Sequence, residues 1–358
     1  MINPFLEIHT LLGLVEHASP SGNEKNAVQW LIGQMKALGY SDAFVDEAGN
    51  AVGMMGDGPR QVVLLGHIDT VAGELPVRVE EGKVYGRGSV DAKGPLACFT
   101  DAVAAIGPIQ GWQFVVIGAV EEERNSEGAR FVSTQYQPQY AIIGEPNRWD
   151  RIALGYKGIA WADVVVRQDQ FHSAHAEQSA SEKVIDLWNQ VKQHAAKFNE
   201  SRAKIFEKIL LTIRSMRSED DGLSQYACLT IGARLPVDLP PADWFAMLAQ
   251  IADGADVEPL GFAIPAYECA KNTRLVKSML AGIRTVGGTP GFVYKTGTAD
   301  LNIVAPVWNC EALVYGPGDS ALDHTPNEYI EVEEYLQAVK ALTAGLKKLI
   351  ERFAIEGQ

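Results

Sequence analysis

QVVLLGHIDT, residues 61–70, contains an apolar run, residues 62–66, that is followed by a histidine and an aspartate. Two similar runs follow it, QFVVIGAV (113–120) and YAIIGEP (140–146), with helical patterns between them. Apolar runs of this length are typical of strands that are buried on both faces of a parallel sheet. We therefore predict an α/β layer built on a mostly parallel sheet.

After the third run the pattern changes. Residues 159–168 and 227–236 resemble strands with partial alternation, and residues 181–208 between them form a long amphipathic segment. The earlier pattern then returns and ends in a long helix. We therefore predict a discontinuous α/β domain, residues 1–155 and 265–358, with a smaller α+β domain, residues 156–264, inserted into it.

Composition excludes several classes of protein. The 358 residues exceed what one hydrophobic core usually supports, so two domains are expected. A net charge of −14 argues against binding to nucleic acid, which requires a positive surface. The sequence contains neither an apolar run that could span a membrane nor a signal-peptide pattern, so we expect a cytoplasmic protein with no membrane partner. The four cysteines form no CxxC pair and are expected to be core thiols.

Polar residues follow the predicted strands. His67 and Asp69 end the first run, Glu121–Glu123 and Glu145 follow the next two, and His324 follows a later strand-like run. Ligands of open α/β sheets bind at the carboxyl ends of the strands, and histidine with carboxylate suits a metal ion. A carboxylate two residues after a histidine also suits a residue that orients the imidazole ring. Each position alone also has a purely structural explanation.

Asp91 lies in a glycine-rich segment, GRGSVDAKG (86–94), directly before an apolar helical pattern. One interpretation is that Asp91 caps the N-terminus of that helix. The other is that it joins the histidines and glutamates as a metal ligand. A phosphate-binding loop is disfavoured because the Walker pattern is absent.

The sequence resembles the M20 metallopeptidase family in the order and spacing of five motifs, which are GHIDT, GRGSVDAKG, the glutamate run before GA, GEP and HTPNEY. That family includes succinyl-diaminopimelate desuccinylases, acetylornithine deacetylases and glutamate carboxypeptidases. The resemblance implies a zinc-peptidase-like catalytic domain and an inserted ferredoxin-like domain that acts as a lid and in dimerisation. A homodimer is therefore expected.

The resemblance also implies a metal centre with two zinc ions, although cobalt or manganese would suit the same ligands. His67 and Glu145 would bind the first ion, and Glu123 and His324 the second. Asp91 would bridge both.

In this alignment of motifs Glu122 is the general base that deprotonates a water held by the ions, and Asp69 orients His67. An alternative register, with Glu121 as base and Glu122 as ligand, stays open. The family also supplies a histidine from the inserted domain to the oxyanion. HSAH offers His172 and His175, of which His172 fits the motif better.

Within this family, the sequence is similar to the members that release lysine or ornithine from an amino-group carrier protein. The similar motifs are GYKG (155–158), HSAH (172–175), KTGTADLN (295–302) and GPGDSALDHTP (316–326). We hypothesise an amide between a carrier's C-terminal glutamate and the α-amino group. Alternatives are deacetylation of acetylornithine or acetyl-lysine, desuccinylation of succinyl-diaminopimelate, dipeptidase or aminopeptidase activity, and a non-catalytic binding module. Arg234, Thr298 and Asp300 are candidate substrate contacts.

Residues 183–217 carry eight basic side chains against three acidic ones, in a chain that is acidic as a whole. A solvated helix face explains this excess. The alternative is a docking surface for an acidic carrier protein.

Overall fold

A computed structural model of the chain describes residues 7–172, 176–252 and 254–356. The chain divides into two compact units. The first comprises Met1–Gly155, Cys269–Val293 and Ala299–Gln358, and the second comprises Tyr156–Glu268 and Tyr294–Thr298. The second unit therefore extends four residues beyond the expected 264 and includes a short return segment of the chain.

In chain order, the strands are β1 (Asp42–Val45), β2 (Ala51–Met55), β3 (Arg60–His67), β4 (Arg78–Glu80), β5 (Lys83–Tyr85), β6 (Trp112–Ala119), β7 (Tyr140–Gly144), β8 (Arg151–Tyr156), β9 (Gly158–Asp169), β10 (Leu210–Asp220), β11 (Ser224–Leu235), β12 (Asp256–Ile264), β13 (Tyr267–Glu268), β14 (Gly291–Lys295), β15 (Glu311–Tyr315) and β16 (Tyr329–Glu331). The helices are α1 (His9–Glu16), α2 (Lys25–Ala37), α3 (Lys93–Ile106), α4 (Glu127–Gln135), α5 (Ala180–Asn199), α6 (Pro241–Ile251), α7 (Arg274–Thr285), α8 (Leu301–Trp308) and α9 (Val332–Glu356).

The main sheet of the first unit has the strand order β1-β2-β6-β3-β7-β15-β8. Its centre is parallel, because β3 pairs in parallel with β6 and β7, and β15 pairs in parallel with β7. The strands β2 and β8 join it in antiparallel orientation. Residues Val62–His67 of β3 are buried, as expected for a strand covered on both faces. The predicted α/β class with a mostly parallel sheet is confirmed.

A small second sheet in this unit has the order β16-β5-β4. Tyr329 of β16 lies opposite Tyr85 of β5 in antiparallel register. This pairing brings a segment near the C-terminus beside the glycine-rich segment that carries Asp91, although more than 230 residues separate them in sequence.

The second unit contains an antiparallel sheet with the order β10-β11-β9-β12. Apolar residues of α5 and α6, among them Val184, Val191 and Trp244, pack with one face of this sheet to form its core. The helix α5 begins with a capping box in which Ser179 and Glu182 bond each other's backbone N–H.

The amphipathic segment 181–208 is not one helix. The helix α5 ends at Asn199, and a 3-10 turn follows at Ile205–Glu207. The Asn199 amide side chain bonds both the N–H and the C=O of Ile209, at 2.8 and 2.9 Å. These bonds turn the chain back into β10. Among the described residues, no helix is both long and apolar enough to cross a membrane.

Candidate metal centre

Three parallel strands deliver the predicted polar residues to one edge of the main sheet. His67 ends β3 opposite Ala119, the last residue of β6, and Gly66 lies opposite Gly144, the last residue of β7. The chain leaves these strands at His67, at Glu121–Glu123 and at Glu145. The parallel register therefore places these side chains side by side.

Asp91 lies between two histidines. Its Oδ1 atom is 3.1 Å from Nε2 of His67, and its Oδ2 atom is 3.1 Å from Nε2 of His324. The N-cap interpretation is wrong, because α3 begins at Lys93, its N-cap is Ala92, and no side chain caps it. The Asp91 carboxylate faces the histidines instead, with one oxygen toward each.

The ligand atoms form three overlapping groups, in each of which all atoms lie within 4.8 Å of one another. Asp91 and His67 occur with Glu145 in one group, and Asp91 occurs with Glu123 and His324 in another. The third combines His67 with Glu122 and Glu123. Asp91 thus belongs to two sets of donors, and each set contains one histidine and one glutamate besides it.

Asp69 is fully buried and accepts hydrogen bonds from several parts of the site. Its Oδ1 accepts the backbone N–H of Glu122 at 3.0 Å, and its Oδ2 accepts the N–H of Glu123 at 3.1 Å. Ser21 donates its hydroxyl to Oδ2 at 2.7 Å. Nδ1 of His67 lies 3.0 Å from the Asp69 carbonyl and 3.4 Å from its carboxylate. Asp69 therefore contacts both the ring of His67 and the backbone of the glutamate run.

The glutamate run favours one register by its geometry. Oε1 of Glu123 lies 2.8 Å from Nε2 of His324, and Glu122 and Glu123 both reach the His67 group. Glu121 takes a positive φ of 60° and its carboxylate lies 3.8 Å from Arg124, outside every ligand group of the described residues. Glu121, the base of the alternative register, therefore lies outside the groups that contain Glu122 and Glu123, and the roles of Glu122 as base and Glu123 as ligand stay predictions.

The electrostatics of the cluster favour bound cations. Burial and the nearby Asp91 hold the pKa of Glu145 well above its ordinary value, and burial has the same effect on the pKa of Glu122. Hydrogen bonds to Asp91 and Glu123 raise the pKa of His324 to about 10. Several carboxylates crowded out of solvent repel one another, so positive charge at their centre would stabilise the ionised forms.

The remaining candidates are not members of these three groups of described residues. In the second unit, Nη1 of Arg234 donates to Oγ1 of Thr298 at 3.1 Å, and His172 is exposed. His175 lies outside the described residues. Asp300, in the first unit, is buried and bonded to Ser126, and burial raises its pKa to about 7. The expected substrate contacts of Arg234, Thr298 and Asp300 stay predictions.

Two residues that bond to the candidate site residues were not predicted from the sequence. Ser21 holds Asp69, as described above. Glu328 accepts the backbone N–H of Asp91 at 3.2 Å and pairs with Arg87 at 2.8 Å. Glu328 lies within the HTPNEY motif, so that motif did contain a signal, but only the fold shows which backbone atoms it meets.

Comparison with known proteins finds a matching family model and curated relatives of similar length. A family model described as "Peptidase family M20/M25/M40" matches residues 63–348. A LysW-lysine hydrolase from Deinococcus radiodurans is 45% identical over 341 residues, which cover 93% of this chain and 94% of the relative. A LysW-lysine/LysW-ornithine hydrolase from Sulfurisphaera tokodaii is 25% identical over 352 residues, 95% of this chain and 94% of the relative.

Solved structures show the same fold at low identity. The aminopeptidase PepT from Bacillus cereus has a TM-score of 0.79 at 18% identity and covers 98% of this chain and 99% of its own. An M20 family metallo-carboxypeptidase from Sulfolobus solfataricus has a TM-score of 0.76 at 17% identity, with 96% and 99% covered.

Proposed function

The chain belongs to the M20/M25/M40 peptidase family of hydrolases, and from this premise we propose that it cleaves the amide that joins lysine or ornithine to a carrier protein. The name of the relative from Deinococcus radiodurans, at 45% identity, supports this substrate. The bond proposed is an amide between the carrier's C-terminal glutamate and the α-amino group of the released amino acid.

The observation that carries the proposal is the position of Asp91, whose two oxygens each lie 3.1 Å from a different histidine. His67 and Glu145 would hold one ion, and Glu123 and His324 the other, with Asp91 shared. Nitrogen and carboxylate donors suit zinc, and the share of oxygen also suits cobalt or manganese. Two bound ions would polarise the scissile carbonyl and lower the pKa of the attacking water.

Glu122 moves the proton in this proposal. Its backbone N–H donates to Asp69 at 3.0 Å, and its carboxylate lies in the group that contains His67 and Glu123. It would accept a proton from the attacking water and return it to the leaving amine. His172 would donate to the oxyanion that forms at the carbonyl.

A two-substrate assay tests the proposal. The purified protein is loaded with zinc, its metal content is measured, and turnover of carrier-linked lysine is compared with turnover of free acetyl-lysine. We expect two ions per chain and a higher kcat/KM for the carrier-linked amide. Equal or faster turnover of acetyl-lysine would favour a deacetylase, and turnover of neither would count against the proposed substrate class.

The helix α5 offers a surface for the carrier. Lys183, Lys192 and Lys197 are exposed on it, whereas Arg202 pairs with Asp238 at 2.6 Å. We propose that these lysines attract an acidic carrier. Charge reversal by Lys192→Glu with Lys197→Glu should raise KM for the carrier-linked substrate several-fold, and less so at high salt.

A matched control for this surface is Lys347→Glu, an exposed lysine of α9 in the first unit. It reverses one charge of the same kind on a helix of the first unit, so its effect is compared with that of Lys192→Glu alone. An equal rise of KM in this control, or none in the α5 variant, would contradict docking at α5.

We also propose a homodimer through β10. This strand is eleven residues long, lies at the edge of its sheet, and exposes Ile213 and Met216. A long exposed edge with apolar side chains tends to pair with another chain. Light scattering should give twice the monomer mass, and Met216→Asp should reduce it. A monomeric wild-type protein would contradict the proposal. The cytoplasmic location stays a prediction from sequence.

A further inference from the structure

Glu328 has a buried carboxylate, 1% exposed, that binds the turn leading into Asp91. Its Oε1 accepts the backbone N–H of Val90 at 3.0 Å and of Asp91 at 3.2 Å, and the N–H of Gly88 also bonds to this carboxylate. One side chain therefore holds in place the backbone of Asp91 and of the turn that precedes it.

The other oxygen of this carboxylate meets Arg87. Nη1 of Arg87 lies 2.8 Å from Oε2 of Glu328 and also donates to the carbonyl of Thr325 at 3.2 Å. Thr325 is the residue directly after His324. The Glu328–Arg87 pair thus bonds to the segment of His324 as well as to that of Asp91.

Strand pairing brings these two segments together. Tyr329 in β16 pairs with Tyr85 in β5, and the N–H of Gly86 donates to the carbonyl of Glu328 at 3.3 Å. Strand pairing alone fixes the segments where they pair, at residues 83–85 and 329–331. The contacts of Glu328 and Arg87 extend that fixation to Asp91 and to Thr325, the residue next to His324.

We propose that Glu328, with Arg87, is a positioning residue that sets the separation of Asp91 and His324 and thereby the affinity for the ion bound by Glu123 and His324. This inference rests on the dinuclear site proposed above. Because Glu328 contacts no predicted ligand atom, it acts through the backbone of Asp91 and Thr325. Loss of an outer partner of a metal ligand typically weakens metal binding about 10- to 100-fold.

Two variants separate the two halves of this contact. Glu328→Gln keeps an oxygen that can accept the N–H groups of Val90 and Asp91, but it places an amide N–H against Arg87. Glu328→Ala removes both contacts and leaves buried N–H groups without this acceptor. We therefore expect the glutamine variant to keep more of the affinity than the alanine variant.

Glu311→Ala is the matched control. The Glu311 carboxylate also accepts a backbone N–H, that of Leu275 at 2.8 Å, but it begins β15, at the end of that strand away from the site. This substitution removes a bond of the same kind without touching the segments of Asp91 or His324.

The experiment is a titration of the metal-free protein with Co²⁺, followed by absorption and calorimetry, with far-UV circular dichroism to check folding. We expect two binding events in the wild-type protein and in Glu311→Ala. In Glu328→Ala at least one of the two events should become about 10- to 100-fold weaker, and in Glu328→Gln less so. Two unchanged events in folded Glu328→Ala, or an equal loss in the control, would overturn the proposal.

The titration also distinguishes this inference from the proposed function. A wild-type protein that binds two ions but does not cleave carrier-linked lysine would refute the substrate and leave the role of Glu328 standing. A wild-type protein that binds only one ion but cleaves carrier-linked lysine would refute the role of Glu328 and leave the substrate standing. If Glu328→Ala does not fold, the same titration is made with Glu328→Gln, and two unchanged events there would overturn the proposal.

Discussion

Asp69→Asn is expected to weaken the enzyme by disturbing the backbone of the glutamate run rather than by removing a ligand. The two carboxylate oxygens of Asp69 accept different N–H groups, that of Glu122 on Oδ1 and that of Glu123 on Oδ2. An asparagine offers only one oxygen. In either orientation of the amide, one of these N–H groups would face another donor.

The size of the effect follows from the single backbone N–H group that loses its acceptor. A buried N–H that loses its acceptor costs about 1–3 kcal/mol. If the turn stays in place, the cost lowers the free energy of unfolding by that amount. If Glu122 or Glu123 moves to relieve it, the cost is seen in kcat/KM, as a loss of about 5- to 150-fold. The loss of unfolding free energy and the loss of kcat/KM, expressed as a free energy, should together equal the cost of the unpaired N–H group.

Steady-state kinetics at saturating zinc and chemical denaturation measure both quantities. Ser21→Ala is the matched comparison, because it removes one hydroxyl donor from Oδ2 and leaves both N–H groups with their acceptors. One hydrogen bond to a charged carboxylate contributes about 1.5–3 kcal/mol, so Ser21→Ala should lower the free energy of unfolding by a similar amount but, because both N–H groups keep their acceptors, leave kcat/KM nearer to wild type. Wild-type kinetics and wild-type stability in Asp69→Asn would refute the reasoning, as would an equal loss of kcat/KM in Ser21→Ala.

Glu122→Gln should lower kcat by about 10²- to 10⁴-fold with metal content unchanged, whereas Glu121→Gln should stay near wild type, and the reverse result would establish the alternative register. Chelation should abolish turnover and lower Tm, and added zinc should restore both; activity that persists in metal-free protein would contradict a metal centre. Burial raises the pKa of Asp101 from 3.8 to about 6, so the folded state holds this proton more tightly than the unfolded chain does. Stability from this group is therefore present below pH 4 and is lost as the pH rises to 6, by about 3 kcal/mol. Asp101→Asn should gain that much over wild type between pH 4 and 7 in urea melts, and a difference that does not depend on pH would contradict this assignment.

The positions of His67, the glutamate run and Glu145 could be predicted from sequence because each follows an apolar strand directly. Parallel pairing of β3, β6 and β7 then leaves the side chains little freedom in where they meet. Histidine and carboxylate side chains that meet at one edge of a sheet indicate a metal ion. This part of the fold could be predicted because apolar periodicity and strand ends are signals that the local sequence contains.

The supporting contacts were not predictable in this way. Ser21 reaches Asp69 across 48 residues, and Glu328 reaches Asp91 across 237. A single polar residue in a loop has no periodicity that would indicate its partner. The end of α5 escaped for a related reason, since amphipathic spacing continues to residue 208 while the side chain of Asn199 bonds to Ile209 and turns the chain.

The pairing of β16 with β5 has a consequence for how the protein is made. The ribosome synthesises the segment of Asp91 long before residues 324–331. These later residues include His324, Glu328 and the strand β16, which pairs with β5. A growing chain therefore carries His67, Asp91 and the glutamates for most of its synthesis without the residues that would complete their arrangement. By this reasoning the nascent protein should be unable to retain the second proposed metal ion until residues 324–331 have been translated.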